Sequence, residues 1–233
     1  MIVETMTFEE IVKEYEKIHN SIYPVRVKDR IDYQGMRRYF IKNKNEENVW
    51  FKPLDFKIDR NTTFCVIPYS RNWSDFQKIG PLCQACLIYL TCKGYTLLVR
   101  GGVYDNEYAF YTSHLFDRYR ERELQDLSLG KMDVIREFFK RNGNMCGLPF
   151  PTESNPNNTL EITEKGVLFG EKITDNIKLY KTYIRKDQLK EGQFVSAMEA
   201  EEGMSALIQW GEKVQDFVLN NAPSPRIIRK FYE

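Results

Sequence analysis

The sequence predicts an α+β fold: antiparallel β-hairpins packed with several α-helices, helical at both termini. Three observations carry this expectation. Runs of β-branched and aromatic residues occur in pairs around short polar or glycine-containing turns, as hairpins require. Segments with apolar residues every three to four positions precede, separate and follow those pairs. The glycine-rich phosphate loops of doubly wound parallel sheets are absent from the sequence, as are Walker, HExxH and nucleophile-elbow motifs.

The N-terminal helix is signalled by Thr7-Phe8-Glu9-Glu10, a capping box in which Thr7 caps the helix and Glu10 reaches back. Met6 and Ile11 are placed as a hydrophobic staple. Phe8, Ile11, Val12, Tyr15 and Ile18 mark the apolar face up to His19-Asn20, and Pro24 is expected to begin an extended connection. Tyr33 to Lys44 interleaves Arg37, Arg38, Lys42 and Lys44 with Tyr33, Tyr39 and Phe40. Such a stretch suits base stacking with phosphate contacts. It equally suits an amphipathic helix that buries its aromatics and leaves its cations in water. Residues 43–48 read as a loop.

Thr62–Tyr69 reads as a strand that ends near Pro68. Gly80-Pro81 is expected to open a helix through Leu82, Cys83, Cys86, Leu87, Leu90 and Cys92, stopped by Gly94. Its Cys83 and Cys86 form a Cys-x-x-Cys pair. In such apolar surroundings the reading is core packing rather than metal or redox chemistry. Tyr95–Arg100 and Tyr108–Tyr111 read as a hairpin around Tyr104-Asp105-Asn106. Thr112 and Ser113 then cap a helix carrying His114, Leu115, Phe116, Asp117, Arg118, Tyr119, Arg120, Glu121 and Arg122. Ser128 is expected to cap the next helix, with Met132, Ile135, Phe138 and Phe139 inside and Arg136, Lys140 and Arg141 toward its end. Leu160–Thr163 and Val167–Phe169 form a second hairpin, Gly170–Asn176 a turn, and Ile177–Arg185 a central strand. A long helix is expected over Val195–Leu219.

Residues 1–222 are expected to form a single domain, with a weak internal boundary at 149–158 and a tail at 223–233. The formal net charge of +1 leaves any polyanion site to a local basic patch. No apolar run is long enough to span a bilayer, and the N-terminus has no secretory pattern. The 5 Cys are then expected to be reduced thiols in a cytoplasm. No metal or cofactor is expected, and the oligomeric state is left open.

The functional expectation rests on a row. In a continuous α-helix His114, Arg118 and Arg122 fall at i, i+4 and i+8, on one slanting line. A histidine at a helix N-terminus beside two arginines is biased toward its neutral form. It would serve as general base or acid while Arg118 and Arg122 steady developing phosphorane charge, with Arg136 and Lys140 extending the phosphate path. This is the chemistry of a metal-independent ribonuclease or phosphodiesterase. The combination of helices, antiparallel sheet and a His–Arg set loosely resembles small bacterial toxin ribonucleases, although no motif matches residue by residue. The alternative is a non-catalytic module binding RNA, another polyanion or a protein. In the plainest reading Asp117, Glu121 and Glu123 simply pair with the arginines on a wet helix face.

Overall fold

Thr7 caps the first helix as its sequence requires. Its hydroxyl accepts from the Glu10 N–H at 3.3 Å, and Glu10 accepts from the Thr7 N–H at 2.8 Å. A computed structural model describes residues 2–46, 48–101, 107–142, 146–149, 155–163 and 165–190. The expected helix over 195–219 and the tail 223–233 lie outside the described residues, so only the N-terminal of the two expected terminal helices is seen. The architecture is α+β with mixed strand pairing. The chain divides into two compact units at Tyr89/Leu90.

In the first unit helix α1 (Phe8–Ile22) buries Ile11, Tyr15, Ile18 and Ile22. The connection after it is not extended. It winds as a π-turn, Tyr23–Val27, and a 3-10 turn, Lys28–Arg30. Pro24 stands at the start of the π segment, directly after the last turn of α1. Arg26 and Arg30 lie over the Phe56 ring, 5.8 and 4.9 Å from its centre. Helix α2 (Tyr33–Lys42) is capped by Asp32 and buries Met36 and Phe40. These pack with Val49, Phe51 and Phe76. Strands β1 (Val49–Trp50) and β2 (Leu54–Lys57) share one edge of β3 (Thr62–Ser70), and β4 (Leu82–Thr91) pairs with the other edge; all three pairings are antiparallel. The short helix α3 (Trp73–Ile79) lies between β3 and β4 in sequence.

β4 corrects the helix expected from Leu82 to Cys92. A short apolar run does not distinguish a buried strand from a buried helix. Here β3 supplies a partner for the whole run, from Tyr69↔Leu82 to Thr62↔Tyr89. Cys83 and Cys86, three apart on a strand, therefore face opposite sides of the sheet. Cys86 instead stands directly across from Cys65, both buried.

In the second unit the strand order is β5 (Gly94–Gly101), β6 (Glu107–Tyr111), β10 (Ile177–Arg185), β9 (Gly166–Thr174), β8 (Asn158–Ile162) and β7 (Cys146–Pro149). The expected first hairpin is present as β5–β6; its loop, 102–106, lies outside the described residues. β8–β9 forms the expected second hairpin, but β9 continues through Gly170 to Thr174 instead of turning there. Residues 150–154 of the expected loop and boundary are also outside the described set. β10 is central, as predicted, yet it runs parallel to β6. The fully antiparallel expectation is therefore corrected to a mixed sheet. The parallel pair arises because helices α4 (Ser113–Tyr119) and α5 (Lys131–Arg141) and strands β7–β9 intervene between β6 and β10. Gly130 rather than Ser128 occupies the N-cap of α5; Ser128 is tied into a turn by Asp126.

Helices α4 and α5 bury Leu115, Phe116, Tyr119, Val134, Ile135, Phe138 and Phe139. Phe138 meets Phe116, Tyr119 and Phe139 edge to face, at centroid distances of 5.5, 5.0 and 5.4 Å, the favourable geometry for aromatic quadrupoles. Lys131 Nζ donates to Ser113 Oγ at 3.0 Å and pairs with Asp117, joining the two helices.

Candidate nucleic-acid interface

Thr112 caps α4 through a bond from the Leu115 N–H at 3.3 Å, so His114 begins the helix where the sequence places it. The row does not persist. After Tyr119 the backbone widens into a π-turn, Arg120–Leu124, closed by the Gln125 N–H donating to the Arg120 carbonyl at 2.9 Å. A π-turn takes more residues per turn than an α-helix, so positions four apart no longer superpose. Gln125 adopts the left-handed conformation at φ 52° and ends the segment.

The predicted side chains consequently separate. His114 is exposed, with no hydrogen bond or ion pair among the described residues. Arg118 pairs with Glu121 at 2.9 Å. Arg122 turns toward the sheet and donates from Nη1 to the Tyr183 carbonyl at 2.5 Å. On α5, Arg136 pairs with Asp133 at 3.1 Å and Lys140 with Glu137 at 2.8 Å. These cations are engaged within the unit, largely through the i, i+3 pairs expected of a charged helix face.

The first unit presents a different surface. Residues 26–44 carry seven Lys or Arg against two Asp, a local excess of positive charge in a nearly neutral chain. The buried side of α2 takes Met36 and Phe40, so Tyr39 and Ile41 stay outside, 47% and 49% exposed. With Gly35, Arg38 and Lys42 they line a shallow, mostly apolar groove. Tyr39 rests edge-on against Phe51 at 6.0 Å, which steadies the ring without covering it. Tyr33 stacks on Phe76 at 4.9 Å and is 39% exposed. Arg37 lies 5.9 Å from the centre of the Trp73 ring. Arg38, Lys42 and Lys44 make no hydrogen bond or ion pair among the described residues.

Comparison with family models, curated proteins and solved structures found no match.

A second polar site appears where the π-turn meets β10. Glu123, with its side chain only 6% exposed, accepts from Tyr183 Oη at 3.2 Å and lies 3.5 Å from Lys165 Nζ. From the sequence, Glu123 is expected only to pair with an arginine on a wet helix face. Nothing local in the sequence could have paired it with Lys165 and Tyr183, which reach it only through the sheet order. Farther along the same sheet Glu161 is buried and accepts from Tyr111 Oη at 3.1 and 3.3 Å. Burial raises its carboxyl to about 7, against the opposing Tyr111 hydrogen bond, the Lys178 charge and the Tyr180 hydrogen bond. Burial likewise raises the Tyr111 phenol. Among the described residues no group of His, Cys, Asp and Glu side chains is placed to hold a metal ion, and no helix is long and apolar enough to cross a membrane.

Proposed function

We propose that this protein is a nucleic-acid-binding module whose contact surface is the outer face of α2, with single-stranded RNA or DNA as its ligand. One observation carries the reading: Arg38, Lys42 and Lys44 have no partners among the described residues and stand beside the exposed Tyr39 ring and Ile41. Half-exposed apolar and aromatic side chains interleaved with free cations match the needs of a single strand, whose bases stack while its phosphates seek charge. A duplex would hide its base faces and leave Tyr39 without a role.

The ribonuclease reading draws support from the exposed His114 at the start of α4. Its two arginines have protein partners, which weighs toward binding without cleavage.

The test is fluorescence anisotropy of a labelled oligouridine on the purified full chain. Binding that weakens at least tenfold in Arg38→Glu/Lys42→Glu, and severalfold in Tyr39→Ala, is expected, because base–aromatic stacking contributes roughly 1–3 kcal/mol per base. Unchanged affinity in both variants would refute the assignment of the surface. Cleavage of the same RNA, abolished by His114→Ala, would restore the nuclease.

A further inference from the structure

The second unit has a half-open pocket of about 220 Å³ lined by Tyr119, Glu123, Arg141, Asn142, Lys165 and Tyr183. That is the liquid volume of roughly seven waters, room for a very small ligand only. Every lining residue carries a polar group. Tyr119, Asn142 and Tyr183 are buried, and Glu123 is nearly so.

The hydrogen bonding of this lining is incomplete in a directed way. Tyr183 Oη serves Glu123, and Asn142 Nδ2 serves the Phe138 carbonyl at 2.7 Å. Tyr119 Oη is buried and makes no hydrogen bond of good geometry among the described residues, although the Asn142 amide sits beside it. The same hydroxyl feels the Arg141 cation and the Glu123 carboxylate, so it lies among the lining groups. A buried hydroxyl without a partner is destabilising, a deficit that a bound acceptor would remove. Arg141 has only a loose contact with Glu137, 3.9 Å, and Lys140 shares that carboxylate at 2.8 Å. Glu123 belongs to the π-turn, a geometry found frequently at functional sites.

The charges distinguish among ligand classes. A simple anion would meet the Glu123 carboxylate, and a simple cation would meet Arg141 and Lys165. We propose that the cavity binds a small zwitterion of the α-amino-acid class, its carboxylate on Arg141 and the Tyr119 hydroxyl and its ammonium on Glu123. Lys165 and Tyr183 hold Glu123 in place. The site is independent of the α2 surface and stands or falls separately from it.

The experiment is thermal denaturation of the full chain with each standard amino acid at about 10 mM, followed by calorimetric titration of any that stabilise. Acetate, phosphate and methylammonium serve as single-charge controls. The expected result is saturable stabilisation by one or more small amino acids and not by the controls. Affinity should fall at least tenfold in Glu123→Gln and in Arg141→Met. Arg141 is 46% exposed, so its replacement tests binding even where Glu123→Gln disturbs the fold. Failure of every amino acid to bind overturns the proposal. So does equal stabilisation by acetate or phosphate, which would mark a plain anion site, or binding that survives Arg141→Met.

Discussion

Replacing Glu161 with glutamine should stabilise the protein near and above neutral pH and change it much less in mild acid. The carboxyl lies on β8 beneath Tyr111 of β6 and Tyr180 of β10, whose rings stack at 5.3 Å. Burial disfavours its charged form and raises it from 4.5 to about 7. A group raised in the folded state binds its proton more tightly there than in the unfolded chain. Its contribution is complete below about pH 4.5 and is lost as pH rises through about 7. Each tenfold change in proton affinity is worth about 1.4 kcal/mol, so the whole contribution is about 3 kcal/mol. About a quarter of it is already gone near pH 5, which leaves about 2–3 kcal/mol to be lost between about pH 5 and pH 8. Glutamine keeps the shape of the neutral acid and removes the titration. Urea denaturation of both proteins at the two pH values measures the effect, since other titrating groups cancel in the difference. The stability of Glu161→Gln relative to wild type should rise by about 2–3 kcal/mol on going to the higher pH. A difference that stays constant with pH would refute the argument, because it would mean that the carboxyl titrates alike in both states.

Two further outcomes follow from close packing. A Cβ added at Gly166 would collide with the outer edge of the Tyr183 ring and its hydroxyl, so Gly166→Ala should destabilise the second unit by about 1–3 kcal/mol, seen as an earlier urea midpoint. Unchanged stability would mean that Tyr183 is free to move, weakening the case for a fixed Glu123. The cysteines should divide by exposure under a thiol reagent in native conditions. Cys92 is exposed and should react first. Cys65 and Cys86 are buried, and burial pushes the Cys83 thiol up to about 11, so all three should wait for unfolding. Rapid native labelling of Cys86 would contradict the β3–β4 register.

Signals carried within a few residues were legible in the sequence. Thr7 with Glu10, Thr112 before His114, and the aliphatic and aromatic content of Tyr95–Arg100 and Ile177–Arg185 each act through neighbours in the chain, and the structure has them as predicted. The misread segments depend on distant partners. Leu82–Thr91 becomes a strand because β3 offers it a full register, which no local periodicity reveals. The His114–Arg118–Arg122 row assumed an uninterrupted α-helix, and the π-turn after Tyr119 has no sequence signature comparable to proline or glycine. The α2 surface was half legible. Its cations and aromatics stood out, but which rings are buried depends on Val49, Phe51 and Phe76 packing against Met36 and Phe40. Glu123 and Glu161 were invisible as buried groups, since their partners lie 60 and 50 residues away in the chain.

The salt dependence of oligouridine binding tests the central claim most directly. If Arg37, Arg38, Lys42 and Lys44 each neutralise one phosphate, log affinity should fall against log salt with a slope of about −2.8. Raising salt from about 50 to about 200 mM would then weaken binding about fiftyfold. Arg38→Ala/Lys42→Ala should bind more weakly and halve the slope to about −1.4. A slope unchanged in that variant, or no binding by the wild type at the lower salt, would contradict the assignment of α2 as the nucleic-acid surface.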